Sequence, residues 1–195
     1  YPQKKATIGA PVLSVAHLSH PTEFNDISFA LNKGEILGFY GLVGSGRSEV
    51  MQALFGITTP SAGTVTLQDT NVDFNSPADA IDAGIVYVPE ERGKQGVVVD
   101  LPIFQNVSLP SLGKTSRNGF LQLAKEFTLV RDYATRLDLR AASLSQHAGT
   151  LSGGNQQKVV VAKWLATQPK VIILDEPTKG IDIGSKAAVH EFMGD

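Results

Sequence analysis

The stretch Gly41-Leu42-Val43-Gly44-Ser45-Gly46-Arg47-Ser48 stands between an apolar run, residues 35–40, and a segment with helical spacing that stops at Gly56. Its glycines permit positive φ and turn successive N–H groups inward, and a helix starting directly after them adds the positive end of its dipole. Strand, glycine loop and helix in this order make a cradle for an anion the size of a nucleotide β-phosphate. The pattern G-x-x-x-x-G-K-[ST] is met except at one position, where Arg47 replaces lysine. Arginine keeps the positive charge but presents a planar fork, where a compact ammonium would slide between two phosphates. Glu49 sets a carboxylate close to the same place, and Ser48 has the hydroxyl such a loop offers to Mg²⁺.

Outward from the loop, the chain reads as alternating strand and helix signals. Residues 12–18 and 27–31 alternate loosely between apolar and polar, and the turn Asn32-Lys33-Gly34 leads into 35–40; this predicts antiparallel strands feeding a buried one. A helix is expected over 47–55, then a strand over 64–67 after the turn Pro60-Ser61-Ala62-Gly63. Ser76 and Pro77 read as N-cap and first residue of a helix running to Ala83 and closed by Gly84, followed by a strand at 85–88. Residues 90–150 read as a mostly helical insert with a long amphipathic pattern over 120–139. Ser152 is the natural N-cap of the next helix, which stops near Pro169; residues 171–174 have the profile of a parallel strand buried on both faces. A further helix is expected over 184–193.

Composition narrows the class of function. The chain has 195 residues, 42% hydrophobic and 18% charged, enough to bury a substantial core without staples. Seventeen basic against nineteen acidic side chains leave a net charge of −2, which argues against a primary nucleic-acid binder. With no cysteine there are no disulfides, thiolate metal sites or cysteine nucleophiles. No apolar run approaches the roughly 18–20 residues of a membrane helix, so the polypeptide reads as soluble or peripheral. The four histidines, His17, His20, His147 and His190, have no ligand spacing.

Two more stretches carry chemistry. Asp175-Glu176 follows the apolar strand at the carboxyl edge of a sheet, where ligands bind in open α/β folds. Asp175 would hold Mg²⁺, directly or through water, and Glu176 would orient or deprotonate an attacking water. Ser152-Gly153-Gly154 opens a helix and forms a second anion site without a lysine or metal ligand. One nucleotide needs one cradle, so this helix end would complete a nucleotide site on another domain.

Taken in order, residues 41–48, Leu151-Ser152-Gly153-Gly154-Asn155-Gln156-Gln157, Ile172-Ile173-Leu174-Asp175-Glu176-Pro177-Thr178 and Gly180-Ile181-Asp182 resemble the Walker A, signature, Walker B and D-loop motifs of ABC transporter ATPases. The finer wording, Arg47-Ser48-Glu49, Pro89-Glu90-Glu91-Arg92 and Ser152 to Lys158, is similar to the second nucleotide-binding domain of tandem ATPase subunits in bacterial ribose, galactose and xylose importers.

The resemblance implies an α/β fold of the P-loop NTPase, ABC ATPase type: a parallel-sheet core, an N-terminal antiparallel β part and a helical insert. In domain terms it implies a linker over 1–11 and one nucleotide-binding domain over 12–195, C-terminally incomplete, with 12–89 and 151–195 as the ATP-binding core and 90–150 as the insert. Gly41, Val43, Gly44, Ser45, Gly46, Arg47 and Ser48 would bind the phosphates, and Ser48, Asp175 and Glu90 the magnesium. Glu176 would be the catalytic carboxylate. Ser152, Gly153 and Gly154 would touch ATP held by the opposite domain, with Asp182 at that interface. ATP and Mg²⁺ would be the ligands, and Phe24 or His20 the aromatic for the adenine, with a core role for Phe24 the stronger reading. The partners would be a second nucleotide-binding domain, transmembrane permease subunits and, indirectly, a periplasmic sugar-binding protein, with no nucleic acid. The location would be cytoplasmic, peripheral on the inner membrane. The alternative is a catalytically weak or silent half that lends its signature to the partner's site. The isolated chain is expected to hydrolyse ATP slowly or not at all.

Overall fold

The computed structural model describes residues 7–180. They fall into two compact units, one comprising the chain up to Tyr87 with Lys170–Ile173, the other Val88–Pro169 with the chain from Leu174 onward.

The first unit contains β1 (Pro11–Ser19), β2 (Ile27–Asn32), α1 (Arg47–Leu54), β3 (Ala62–Leu67), β4 (Thr70–Val72), α2 (Pro77–Ala83) and β5 (Ile85–Val88). An antiparallel sheet runs in the order β2-β1-β3-β4, as the alternation predicts. Leu13 and Val15 of β1 face inward opposite Leu67 and Val65 of β3. A bulge at His17, whose φ is 54°, then adds a residue, so that Leu18 rather than His17 is the next buried side chain. Each such aliphatic side chain taken out of water contributes roughly 1.5–3 kcal/mol. Helix α2 has the expected ends: Ser76 Oγ accepts a hydrogen bond from the Asp79 amide at 3.3 Å, Pro77 takes the first position, and Gly84 closes the helix at φ 99°.

The expected strand at 35–40 is not formed. Ile36 is 62% exposed and Tyr40 fully so, and among the described residues no strand pairs with this stretch. Without a ladder partner, extended backbone keeps its polar groups in water, and apolar composition alone does not bury it. Its described contacts are local: the Phe39 ring meets Phe29 edge-on at 4.9 Å, and Glu35 accepts from the amide and side chain of Asn32 at 2.8 and 2.7 Å.

The second unit begins with a π-turn at Arg92–Gly96, followed by α3 (Ile103–Ser108), α4 (Leu112–Thr115), β6 (Ser116–Arg117), β7 (Phe120–Leu121), α5 (Leu123–Arg136) and α6 (Gly153–Leu165). The segment is mostly helical, but Asn118 and Gly119, both at positive φ, turn a short hairpin whose second strand, Phe120–Leu121, takes the first residues of the amphipathic pattern expected over 120–139. The long amphipathic helix therefore starts at Leu123. Its Val130 packs in a core with Ile103, Val107, Val159 and Val160, all nearly inaccessible. Two buried polar side chains here are paired: Asn106 Nδ2 donates to the carbonyls of Val98, Leu101 and Pro102, and Ser108 Oγ donates to Glu126 at 2.5 Å. Lys114 Nζ donates to the Ala166 and Thr167 carbonyls at the end of α6, the favourable place for a cation on a helix.

The last described strand, β8 (Val171–Leu174), pairs with β5. Hydrogen bonds from Val171 N to Gly84 O and from Asp175 N to Val88 O advance together, so the two strands run parallel. The helix expected over 184–193 lies outside the described residues.

One buried cation stands out. Lys163 of α6 is 7% exposed, its ammonium donates to the Gly96 carbonyl at the end of the π-turn, and desolvation lowers its pKa to about 8. Below that value both the folded and the unfolded chain carry the proton. Between about 8 and the ordinary 10.5 the unfolded chain binds more protons, so folding stability rises with pH through this window. Relative to Lys163→Met, the wild-type protein is expected to gain on the order of 2–3 kcal/mol between those limits. Urea unfolding of both proteins at pH 7.5 and at about pH 10 measures the difference.

Candidate functional site

The glycine loop enters α1 through Gly46, the N-cap, in a left-handed conformation (φ 84°, ψ 7°), with Gly44 also at positive φ. A Cβ on Gly46 would lie 2.9 Å from the Glu23 carbonyl oxygen, so close approach as well as φ requires glycine here. The turn is held by Ser45 N donating to Leu42 O at 3.1 Å, and α1 begins with Val50 N donating to Gly46 O at 3.0 Å. Gly46 has no side chain with which to cap this helix. Its first-turn N–H groups and dipole are thus arranged toward a loop whose Leu42 and Val43 side chains are 84% and 98% exposed. Arg47 and Ser48 occupy the first two helical positions, and Glu49 adds a carboxylate to the first turn, where it favours the dipole but opposes an incoming anion. Val50, Ala53 and Leu54 bury the other face of α1.

Phe24 lies behind this loop, 8% exposed, with its Cβ 3.5 Å from where a Cβ on Gly46 would be. It serves the core. His20 sits 5.7 Å from the Phe24 ring and 3.5 Å from the Glu23 carboxylate. His17 pairs with Asp26 at 2.7 Å, and His147 bridges to Pro102; among the described residues no group of three or more His, Asp or Glu side chains is placed to hold a metal ion. Magnesium bound together with substrate phosphates takes only one or two protein ligands.

In the second unit, Asp175 continues the parallel ladder from β8 through its amide. Glu176 follows at φ 43°, a left-handed position that carries the chain into a turn closed by Lys179 N donating to Glu176 O at 3.0 Å. A non-glycine residue held there is characteristic of functional sites. Glu90, just beyond β5, forms an ion pair with Lys179. This hydrogen bond, and then the charge of Glu90, raise the Lys179 pKa, with Glu176 and Glu91 adding smaller contributions. Next along the chain, Arg92 donates from Nη1 to the Lys179 carbonyl at 2.8 Å and from Nη2 to the Gly180 carbonyl at 3.1 Å.

The N-terminus of α6 borders the same guanidinium. A Cβ on Gly153 would lie 2.5 Å from Arg92 Nη2, so a side chain here would require the guanidinium to move. Ser152 is the N-cap, accepting from the Asn155 amide at 3.5 Å and from its side chain at 3.0 Å, and Gly154 is buried. The structure therefore brings Glu90, Ser152, Gly153, Asp175 and Glu176 into one unit, while Gly41, Val43, Gly44, Ser45, Gly46, Arg47 and Ser48 belong to the other. Asp182 lies outside the described residues. Arg92 and Lys179 were not legible as site residues: the motif at 89–92 assigned a role to Glu90 alone, and their partners are backbone carbonyls and a glutamate about 90 positions away.

The geometry of Gly46 makes a direct prediction. Gly46→Ala combines a left-handed Cβ with a clash against the Glu23 carbonyl and is expected to lower stability by about 1–3 kcal/mol, read as a fall in the urea midpoint.

Comparison with known proteins identifies the family. The ribose import ATP-binding protein RbsA 1 of Rhizobium meliloti is 71% identical over all 195 residues, and that of Roseobacter denitrificans 69%. A Lactococcus lactis counterpart is 44% identical over the same length. The chain spans only 39%, 38% and 39% of these relatives. Among solved structures, a dimeric ATP-binding cassette in a post-hydrolysis state bound to ADP and Pi aligns with TM-score 0.79 at 19% identity, covering 93% of this chain and 81% of that one. The ADP conformation of another cassette aligns at 0.73 and 22%, covering 94% and 76%. These likenesses establish the α/β fold of ABC ATPase cassettes. Residues 24–179 match the ABC transporter family model, and with glycine loop, carboxylate pair and signature helix all inside that span, the chain belongs to the ABC transporter family.

Proposed function

We propose that this chain is an ATP-binding and ATP-hydrolysing domain of a sugar importer, and specifically the second of two nucleotide-binding domains in one polypeptide. The observation that carries the nucleotide reading is the N-terminus of α1: a glycine N-cap, held left-handed and without a side chain, and backbone donors directed to an exposed loop. The names of the relatives, ribose import ATP-binding proteins, support ribose as the transported sugar. The wording Arg47-Ser48-Glu49 and Pro89-Glu90-Glu91-Arg92 supports the placement in the second half.

On this reading the backbone at Gly41, Val43, Gly44, Ser45 and Gly46 hydrogen-bonds the phosphates, and Arg47 adds charge from the first helical position. Ser48, Asp175 and Glu90 would hold the Mg²⁺ that accompanies ATP, which when bound would supply charge neutralisation for phosphoryl transfer. Glu176 orients the attacking water and accepts its proton. Ser152, Gly153 and Gly154 present a second helix N-terminus to ATP held by a facing nucleotide-binding domain, with Asp182 at that interface. Binding closes the two domains around ATP, hydrolysis releases them, and the Glu90 region passes the movement to transmembrane permease subunits, which receive sugar from a periplasmic binding protein. The domain then works in the cytoplasm, peripheral to the inner membrane; no helix among the described residues is long and apolar enough to cross it. A catalytically silent half gains no support from the relatives, which are named for ATP binding in import.

Glu176→Gln in the full-length polypeptide is expected to reduce ATP turnover by about 10²-fold or more while ATP still binds. Turnover kept within about twofold would remove Glu176 from its assigned role. Deleting the parent gene is expected to abolish uptake of radiolabelled ribose, and loss of galactose or xylose uptake with ribose uptake intact would reassign the sugar.

A further inference from the structure

Arg92 meets three segments at once. Its two Nη atoms donate to the consecutive carbonyls of Lys179 and Gly180, at 2.8 and 3.1 Å. The same guanidinium lies where a side chain on Gly153 would have to be, so it touches the N-terminus of the signature helix. Its own backbone opens the π-turn after Glu90 and Glu91, and that turn is closed by Val97 N donating to Arg92 O at 2.8 Å. The far end of the turn is tied to α6, because the Gly96 carbonyl accepts from buried Lys163. Beside the guanidinium, Lys179 returns the connection with its ion pair to Glu90. Arg92 Nε is buried and, among the described residues, has no hydrogen-bond partner.

We propose that Arg92 is a positioning residue: its guanidinium clasps the 176–180 turn to the Glu90 loop and to the start of α6, and so fixes where the Glu176 carboxylate and the signature serine Ser152 stand. The physical reason is the turn itself. Glu176 is held at φ 43°, and a hydrogen bond from Lys179 N to Glu176 O closes the turn. A non-glycine residue in that conformation persists where the surrounding contacts over-determine it. Arg92 holds the far end of the turn through two charge-assisted bonds to adjacent carbonyls, one from each Nη of its planar fork. Misplacing a catalytic group by about 1 Å costs up to about 10²-fold in rate, so the clasp acts on turnover rather than on nucleotide affinity. This inference rests on the proposed ATPase role of Glu176, but the clasp itself is a statement about the turn.

The test uses the full-length polypeptide. Arg92→Ala is expected to lower kcat for ATP by about tenfold or more with KM within about threefold, and added guanidinium ion at millimolar concentration to restore a substantial part of the lost rate. Arg92→Lys, which keeps charge and stem but not the fork, is expected to fall between the two and to keep the wild-type urea midpoint. Hydrogen exchange at the Lys179 amide is expected to quicken about tenfold in Arg92→Ala, with exchange in α5 unchanged. An unaltered kcat, a rise in KM with kcat intact, or an unaltered Lys179 amide would each overturn the proposal. Should the wild-type polypeptide hydrolyse no ATP, the proposed function fails, while the exchange measurement still decides the clasp.

Discussion

The parallel pairing of β5 with β8 is the constraint on which the site depends. Parallel strands end on the same edge, so the chain leaving β5 at Val88 and the chain leaving β8 at Leu174 emerge side by side, and the ladder is extended by Asp175 N donating to Val88 O. β5 is buried at all four of its positions. A one-residue slip in this register would move Asp175 and Glu176 along the edge and turn their side chains to the opposite face. Everything polar about the edge follows from that register, including the meeting of Glu90 with Lys179 and of Arg92 with the carbonyls beyond it.

The two helix N-termini are built on different principles. At α1 the capping position is given to a glycine that has no side chain to offer, and the strain is absorbed by a fold that brings the Glu23 carbonyl so close that no other residue fits. At α6 the cap is Ser152, whose hydroxyl is engaged by Asn155, and the next residue, Gly153, lies against Arg92. Both ends depend on arginine as well as glycine: Arg47 stands in a helical first turn, and Arg92 reaches from a π-turn, an unusual element that tends to mark functional positions.

How much was legible in advance can be judged from particular elements. The ends of α2 were plain, because Ser76, Pro77 and Gly84 act through local backbone geometry that the residues themselves carry. The hairpin at Asn118-Gly119 had an equally local signal, but the apolar periodicity of the following helix ran over it. The stretch 35–40 looked like a strand and is not one, since a strand exists only with a partner and composition cannot supply the partner. Phe24 resolved as a core residue once its burial behind Gly46 was visible.

Taken alone, the amino-acid sequence determined the family, the glycine loop, the carboxylate pair and the signature helix. Each of these is encoded within a few neighbouring residues, and their chemistry follows from short-range geometry. Only the tertiary structure decided the rest: that Leu18 rather than His17 turns inward, that Lys163 is a buried cation serving the Gly96 carbonyl, and that Arg92 and Lys179 join the site. Those contacts span tens of residues and mostly end on backbone carbonyls. Every residue carries a carbonyl, so no residue pattern announces which one will be used.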